Sequence, residues 1–221
     1  MRLKWIRCSR WLCLALIALI VGGSGTAECA TKRKKANMST ENAKKEVTGH
    51  LEAFRKSGEL TELRNAANLI ERIEVHTAPS FEDRESARTA KLTLWLKLLD
   101  TIDSAKDPTF DPADVPAARV TLPPGTRMKP GVPVDTPEGI ADPADRRKYD
   151  DAVKANADKT KRYRFQKELR QLDAELTSRA DAYISSTNLK SPQSVKEMDE
   201  AVTAQIHNQD RAAHLRSLVA P

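Results

Sequence analysis

Nine of the twelve prolines fall between residues 107 and 143: Pro108, Pro112, Pro116, Pro123, Pro124, Pro130, Pro133, Pro137 and Pro143. Proline lacks a backbone N–H, and its ring clashes with the preceding helical turn. It also pushes the residue before it toward extended conformations. Helix cannot persist through such a stretch, yet strong helical patterns lie on both sides. The chain is therefore expected to be all-α, a helical bundle of about five helices in two halves joined by a long Pro-rich irregular segment. The expected boundaries are an N-terminal helical half at 40–106, a strap at 107–142, and a C-terminal half at 143–221 that packs on the first.

In the N-terminal half, Ala43, Val47, Leu51 and Phe54 recur at spacings of four, four and three, which predicts a helix from Thr40 to Lys56. Ser57-Gly58 ends it, with glycine suited to a left-handed cap. Leu60, Leu63, Ala67, Ile70 and Ile73 predict a second helix running to Val75. The short break between them predicts an antiparallel hairpin. No second copy follows at a fixed period, which argues against a repeat array. Ser80 is the expected cap of a third helix, with Asp83 completing a capping box. From Leu92 to Leu99 this helix is apolar almost all round, with Leu92, Leu94, Trp95, Leu96, Leu98 and Leu99. A helix without a polar face is a buried one, so Trp95 is expected at the centre of the core.

Asp142-Pro143 supplies a cap followed by proline at the first helical position. Nothing forbids helix from there to Ser185, a rod of roughly 65 Å at 1.5 Å per residue. Its apolar side changes along the way. Phe165, Leu169, Leu172, Leu176, Ala180 and Tyr183 form a strong stripe that should enter the core. Tyr149, Val153, Asn156, Thr160 and Tyr163 form a weaker, half-polar face pointing the opposite way. That face is the candidate interaction surface, to be covered by a partner or by the strap. Val132, Val134 and Ile140 lie just upstream, so the strap is expected to fold back over it. Asn156 and Thr160 would then satisfy strap backbone groups, since buried amides do not go unpaired. The other apolar strap residues, Val120, Leu122 and Met128, should also lie on the body. Ser191-Pro192 opens a fifth helix with Val195, Met198, Val202, Ile206 and Ala213 on its buried face, running nearly to the C-terminus.

The first thirty residues have the order of a secretory signal peptide. Arg2, Lys4, Arg7 and Arg10 precede an apolar run of 11 residues at 11–21, and small residues follow from Gly22 to Ala27. The run is short for a bilayer span, which needs about 20 residues. An uncleaved N-terminal anchor is the alternative. Cys8, Cys13 and Cys29 are the only cysteines, so a chain cleaved after residue 30 has no disulfide and no thiol chemistry. Asn37-Met38-Ser39 matches a glycosylation sequon. Residues 31–39 form a basic flexible tail. Lys32, Arg33, Lys34 and Lys35 there, together with the leader, are the only expected points of membrane contact.

Eight of the 37 Lys and Arg lie before residue 36, leaving 29 against 30 Asp and Glu in the remainder. A nucleic-acid binder carries its basic excess on the folded domain, so no nucleic-acid partner is expected. The series Asp100, Asp103, Asp107, Asp111 and Asp114 lacks the ligand alternation of a calcium loop, and its Asp-Pro pairs read as turn initiators. His207, Asp210 and His214 share a flank of the expected last helix, but two turns of a straight helix separate the histidines by about 10 Å, too far for one ion. No phosphate loop, zinc helix or nucleophile elbow is present. No cofactor, metal or catalytic residue is therefore assigned.

The run at 131–173 resembles a segment of uncharacterised exported bacterial proteins. The similarity lies in Pro137, Glu138, Ile140, Asp142 and Pro143 and in Tyr149, Asn156, Tyr163 and Gln166 after them. The resemblance implies export and helical structure, with no assigned activity. The expected function is that of an exported, non-enzymatic helical protein of the periplasm, cell envelope or extracellular space. Its role would be structural or in binding a protein or envelope component. The alternative is an exported hydrolase-type enzyme using carboxylates. Intact-mass measurement of exported material checks the leader: the expected mass lacks about the first 30 residues and every cysteine.

Overall fold

The computed structural model describes residues 40–75, 80–122, 124–131, 137–187 and 192–219. The expectations for the leader, the basic tail, the sequon, Val132 and Val134 lie outside this set. The described fold is all-α. Its helices are α1 (Thr40–Ser57), α2 (Leu60–Glu71), α3 (Phe81–Ala105), α4 (Pro143–Ser186), α5 (Pro192–Gln205) and α6 (Gln209–Ser217). A single 3-10 turn, Pro137–Gly139, precedes α4.

Local chemistry sets each boundary. α1 buries Ala43, Val47, Leu51 and Phe54, as its spacing predicts. Gly58 then turns the chain at φ 71°, and its N–H donates to the Phe54 carbonyl at 2.7 Å. Only glycine adopts that conformation without a Cβ penalty. α2 follows after one residue and packs along α1, burying Leu63, Ala66, Ala67, Leu69 and Ile70. It ends at Glu71, four residues earlier than expected, although Ile73 remains buried beyond it. The ammonium of Lys91, on α3, donates to the carbonyls of Glu71 and Ile73 at 3.1 and 3.0 Å. It therefore satisfies groups that a longer helix would have bonded internally.

α3 starts at Ser80, whose Oγ accepts from the Asp83 N–H at 3.0 Å and donates to the Asp83 carboxylate at 2.7 Å. It is the central element, touching α1, α2, α4 and α5. Trp95, Leu96, Leu98, Leu99 and Ile102 are wholly inaccessible. The Trp95 indole N–H has no partner, so this ring is held by packing alone.

α4 starts where Asp142 accepts from the Ala144 N–H at 2.8 Å, with proline at the first helical position. Its 44 residues amount to about 66 Å of helix. Leu169, Leu172, Leu176, Ala180 and Ile184 are buried, along with Gln166. Tyr183 turns to the rim, where its hydroxyl donates to the Arg88 carbonyl at 3.3 Å. No residue from 143 to 165 is buried. The second half of α4 is thus a core element, and the first half, roughly 35 Å long, is an arm.

The single fifth helix is corrected by the structure. The chain breaks at residues 206–208 and restarts as α6. Asn208 causes the restart: its side-chain oxygen accepts from the Asp210 and Arg211 N–H groups at 3.0 and 3.2 Å, a strong N-cap arrangement. Met198, Val202 and Ile206 are buried as expected. Ala213 is exposed, because the break resets the helical phase and turns Ala212 and Leu215 inward instead.

Trp95→Ala should destabilise the protein by about 3–5 kcal/mol, the usual result of truncating a buried large aromatic. A chemical denaturation midpoint measures this directly, and an unchanged midpoint would displace the core from α3.

Candidate functional site

Three features combine charge, exposure and shape: the α4 arm with its strap, a buried ionic cluster, and a groove at the opposite end of α4.

The arm exists because of a change in side-chain character along one face. Leu169, Leu172 and Leu176 point into the bundle. Following the same face toward the N-terminus in steps of three and four gives Phe165, then Lys161, Asp158, Lys154, Asp151 and Arg147. All five charged residues are exposed. That face has nothing to bury, so the helix leaves the core at Gln166. The Gln166 amide sits where α3 ends. It donates to the Ala105 carbonyl and accepts from the Asp107 N–H, both at 3.0 Å.

The strap starts there and runs back along the opposite face of the arm. Asp107 organises the first turn. Its carboxylate accepts from the Thr109 hydroxyl and N–H at 2.7 and 2.9 Å and from Arg162 at 2.5 Å. The Thr109 donors, with Arg162 added, hold the Asp107 carboxyl below its ordinary range. Arg170 donates to the Asp107 carbonyl at 3.1 Å. Asp111 accepts from the Ala113 N–H at 2.8 Å, so both Asp-Pro pairs initiate turns as read.

The five face residues meet different fates. The Tyr163 hydroxyl donates to the Pro112 carbonyl at 2.9 Å, and its ring lies 5.4 Å from that of Phe110. Asn156 donates to the Ala117 carbonyl at 2.9 Å. The expected role of Thr160 is corrected: its hydroxyl donates to the Asn156 carbonyl of its own helix, the local bond nearest to a helical threonine. Tyr149 is half-buried, and Val153 is 41% exposed. Phe110, which sequence reasoning missed, is half-buried between Tyr163 and the Arg170 guanidinium, 5.1 Å from its ring. The early part of the strap thus covers the Tyr163 end. Further on, residues 127–129 pair antiparallel with 139–141 through the Lys129–Gly139 and Ala141–Arg127 backbone bonds. Ile140 is buried, while Val120, Leu122 and Met128 are half-buried.

The ionic cluster joins α3, α4 and α6. Arg211 grips Asp103 with two nitrogens at 2.5 and 2.8 Å, Asp173 at 2.5 Å and the Thr177 hydroxyl at 2.8 Å. Lys106 spans the same two carboxylates at 2.7 and 2.6 Å. Burial alone would raise the Asp103 pKa, but the hydrogen bonds and charges of Arg211 and Lys106 outweigh it and hold the carboxyl below its ordinary range. Burial likewise opposes the Arg211 charge, and Asp103 and Asp173 more than restore it. Two cations and two anions close on one another. Such a group joins three parts of the chain, the end of α3, α4 and α6.

His207 and His214 do not share a site. His207 lies in the break before α6, 3.0 Å from Asp100, and His214 lies 2.8 Å from Asp181. Asp210 takes no side-chain part in either pair. The flank expected to carry all three is corrected by the break at 206–208. No group of three metal-ligating side chains converges among the described residues.

The groove, about 800 Å³, lies between the end of α2, the start of α3 and the end of α4. Its lining includes Ile73, Phe81, Arg84, Arg88, Lys91 and Tyr183. Of its carboxylates, Glu71 pairs with Arg179 at 2.7 Å and Glu85 with Arg88 at 3.0 Å. Burial pushes the Tyr183 phenol up to about 12, and burial also lowers the Lys91 ammonium against the pull of Glu71. The Tyr183 phenol therefore stays protonated at neutral pH. Among the described helices, none is long and apolar enough to cross a membrane. No protein-family model, curated protein or solved structure matches this chain.

Arg211→Ala should destabilise by about 1–3 kcal/mol, because Asp103, Asp173 and Thr177 lose the hydrogen bonds it donates while Lys106 stays beside both carboxylates. The depressed Asp103 pKa also fixes a sign: its contribution is present above the ordinary carboxylate range and is lost as pH falls through the lowered value. Denaturation midpoints between pH 2 and 7 should therefore drop at the acid end in the native chain, and drop less in the variant.

Proposed function

We propose that this is an exported, non-enzymatic helical protein whose arm and strap bind a protein or other component of the cell envelope. One observation carries the reading. A 23-residue length of helix, residues 143–165, buries no side chain fully, and among the described residues the strap is what covers it. Three large apolar side chains are exposed among the described residues: Phe81 at 70%, Val115 at 64% and Val153 at 41%. Two of these belong to this unit. Val115 lies two residues from Ala117 and Val153 three from Asn156, the two residues joined by a hydrogen bond. Exposed apolar side chains on a polar projection are available for contact with another surface. The signal-like order of residues 1–30 and the confinement of cysteine to them support export. The resemblance of 131–173 to exported bacterial proteins supports it too.

The test uses a photo-reactive residue placed at Val153 in the full chain, irradiated in intact cells. A discrete cross-linked product is expected from envelope fractions. It should disappear when Val115→Asp is added, with the circular dichroism spectrum unchanged. No product at Val153, or a product indifferent to Val115→Asp, would sink the reading.

A further inference from the structure

Residues 116–122 are the least tied length of the strap. They belong to no helix and no paired segment, and the chain bends at Ala118 and Arg119. Among the described residues, one hydrogen bond touches them, from Asn156 to the Ala117 carbonyl. Both flanks are fixed. Upstream, Lys159 holds Asp114 at 3.0 Å. Downstream, the Lys129 N–H donates to the Gly139 carbonyl at 2.7 Å and the Ala141 N–H to the Arg127 carbonyl at 2.8 Å. Ala117, Ala118, Arg119 and Thr121 are exposed. Arg119 is a cation with no ion pair or hydrogen bond among the described residues.

We propose that the Arg119–Val120 bond is a processing site, hydrolysed by an arginine-specific endoprotease, and that the protein then persists as two chains. An endoprotease takes several consecutive residues in extended form and bonds their backbone. Helical or paired backbone has to open first, whereas an unbonded surface segment is ready to enter. The small side chains of Ala117 and Ala118 leave Arg119 as the group a specificity pocket would take, and no proline follows it. Position separates it from the competing arginines. Fifteen lie from residue 40 onward, and twelve of them are in helices. Arg72 precedes Ile73, which is 2% exposed. The Arg127 carbonyl is already bonded to Ala141. The segments at 76–79, 132–136 and 188–191 contain no arginine. In the step itself, the oxygen of water joins the Arg119 carbonyl carbon, the C–N bond breaks, and both protons of water end on the Val120 nitrogen. The products are a carboxylate on Arg119 and an ammonium on Val120.

The cut parts α1–α3 from α4–α6 in sequence but not in space. α3 packs on α4 and α5, and Arg211 and Lys106 join Asp103 to Asp173 across the break. The early strap stays on the arm through Tyr163 and Asn156. The site does not depend on what the arm binds.

Brief digestion of the folded full chain with a commercial arginine-specific endoprotease tests this. Between residues 40 and 219, the first cut should leave Val120 as the new N-terminus. Cutting after Arg127 should follow roughly tenfold more slowly, because two backbone bonds must open first. The two fragments should elute together at the size of the intact chain, with the helical circular dichroism kept. Arg119→Gln should lose this cut, and Arg127→Gln should keep it. Protein recovered from the cells that make it should carry the same Val120 N-terminus. A first cut elsewhere in this range, a cut that survives Arg119→Gln, fragments that part without denaturant, or cellular protein lacking the Val120 terminus would overturn the proposal.

Discussion

The arrangement rests on a mismatch of length. α4 has 44 residues and α3, at the centre of the bundle, has 25. Where α3 stops, α4 continues with no other described helix beside it, and Gln166 marks the place by bonding both sides of the α3 terminus. The connection must then travel from the end of α3 to the far tip of the arm. That distance, roughly 35 Å, needs only about 11 extended residues. The chain supplies three times as many. The surplus is what lets the strap run along the arm, pair residues 127–129 with 139–141, and shield the Tyr163 face. Connection and cover are one segment.

Two kinds of force divide the molecule. α1 to α3 and the second half of α4 are held by leucine, isoleucine, alanine and one tryptophan, with few polar contacts inside. α6 and the arm are held by directed bonds between charged or polar groups. Exchanging a buried ion cluster for apolar residues is often neutral or stabilising, so such a cluster is poor evidence of strength. Its effect here is geometric. Arg211 reaches Asp103, Asp173 and Thr177 together in only one placement of α6, which fixes the register of a short helix that its two buried apolar residues leave free to slide.

The elements most legible in sequence are those governed by local chemistry. Ser80, Asp142 and Gly58 announce boundaries because capping is decided within a few residues. Trp95 lies where an all-round apolar helix must put it. The reversal of the α4 face was legible too, since the stripe of Leu169, Leu172 and Leu176 and the stripe of Tyr149, Val153 and Tyr163 centre roughly 180° apart at about 100° per residue. The end of α2 was not, because Lys91, twenty residues away, supplies the bonds that stop it. Arg211 was invisible for the same reason: nothing beside it in sequence distinguishes a buried arginine from a solvated one. Asn208 was readable, as a strong cap within the stretch taken for one helix. So was the run Arg147, Asp151, Lys154, Asp158 and Lys161, whose charges on the continuation of the leucine face already say that the arm has no core to join.

Apart from the Asp107 N–H, which donates to Gln166, the bonding described along α4 runs one way. Gln166, Arg170, Tyr163, Asn156 and Arg146 donate from α4, and the carbonyls of Ala105, Asp107, Pro112, Ala117 and Pro137 accept. Proline suits this division, since it lacks a donor but keeps its acceptor. A ribbon of ordinary residues laid along a helix would present a row of free N–H groups outward, a template for strand addition by another chain. A proline-rich ribbon presents fewer, and its prolines interrupt the row. The same composition that forbids helix in this segment therefore makes it a poor edge for β-pairing, so a long extended surface segment carries little of the aggregation hazard its length would otherwise bring.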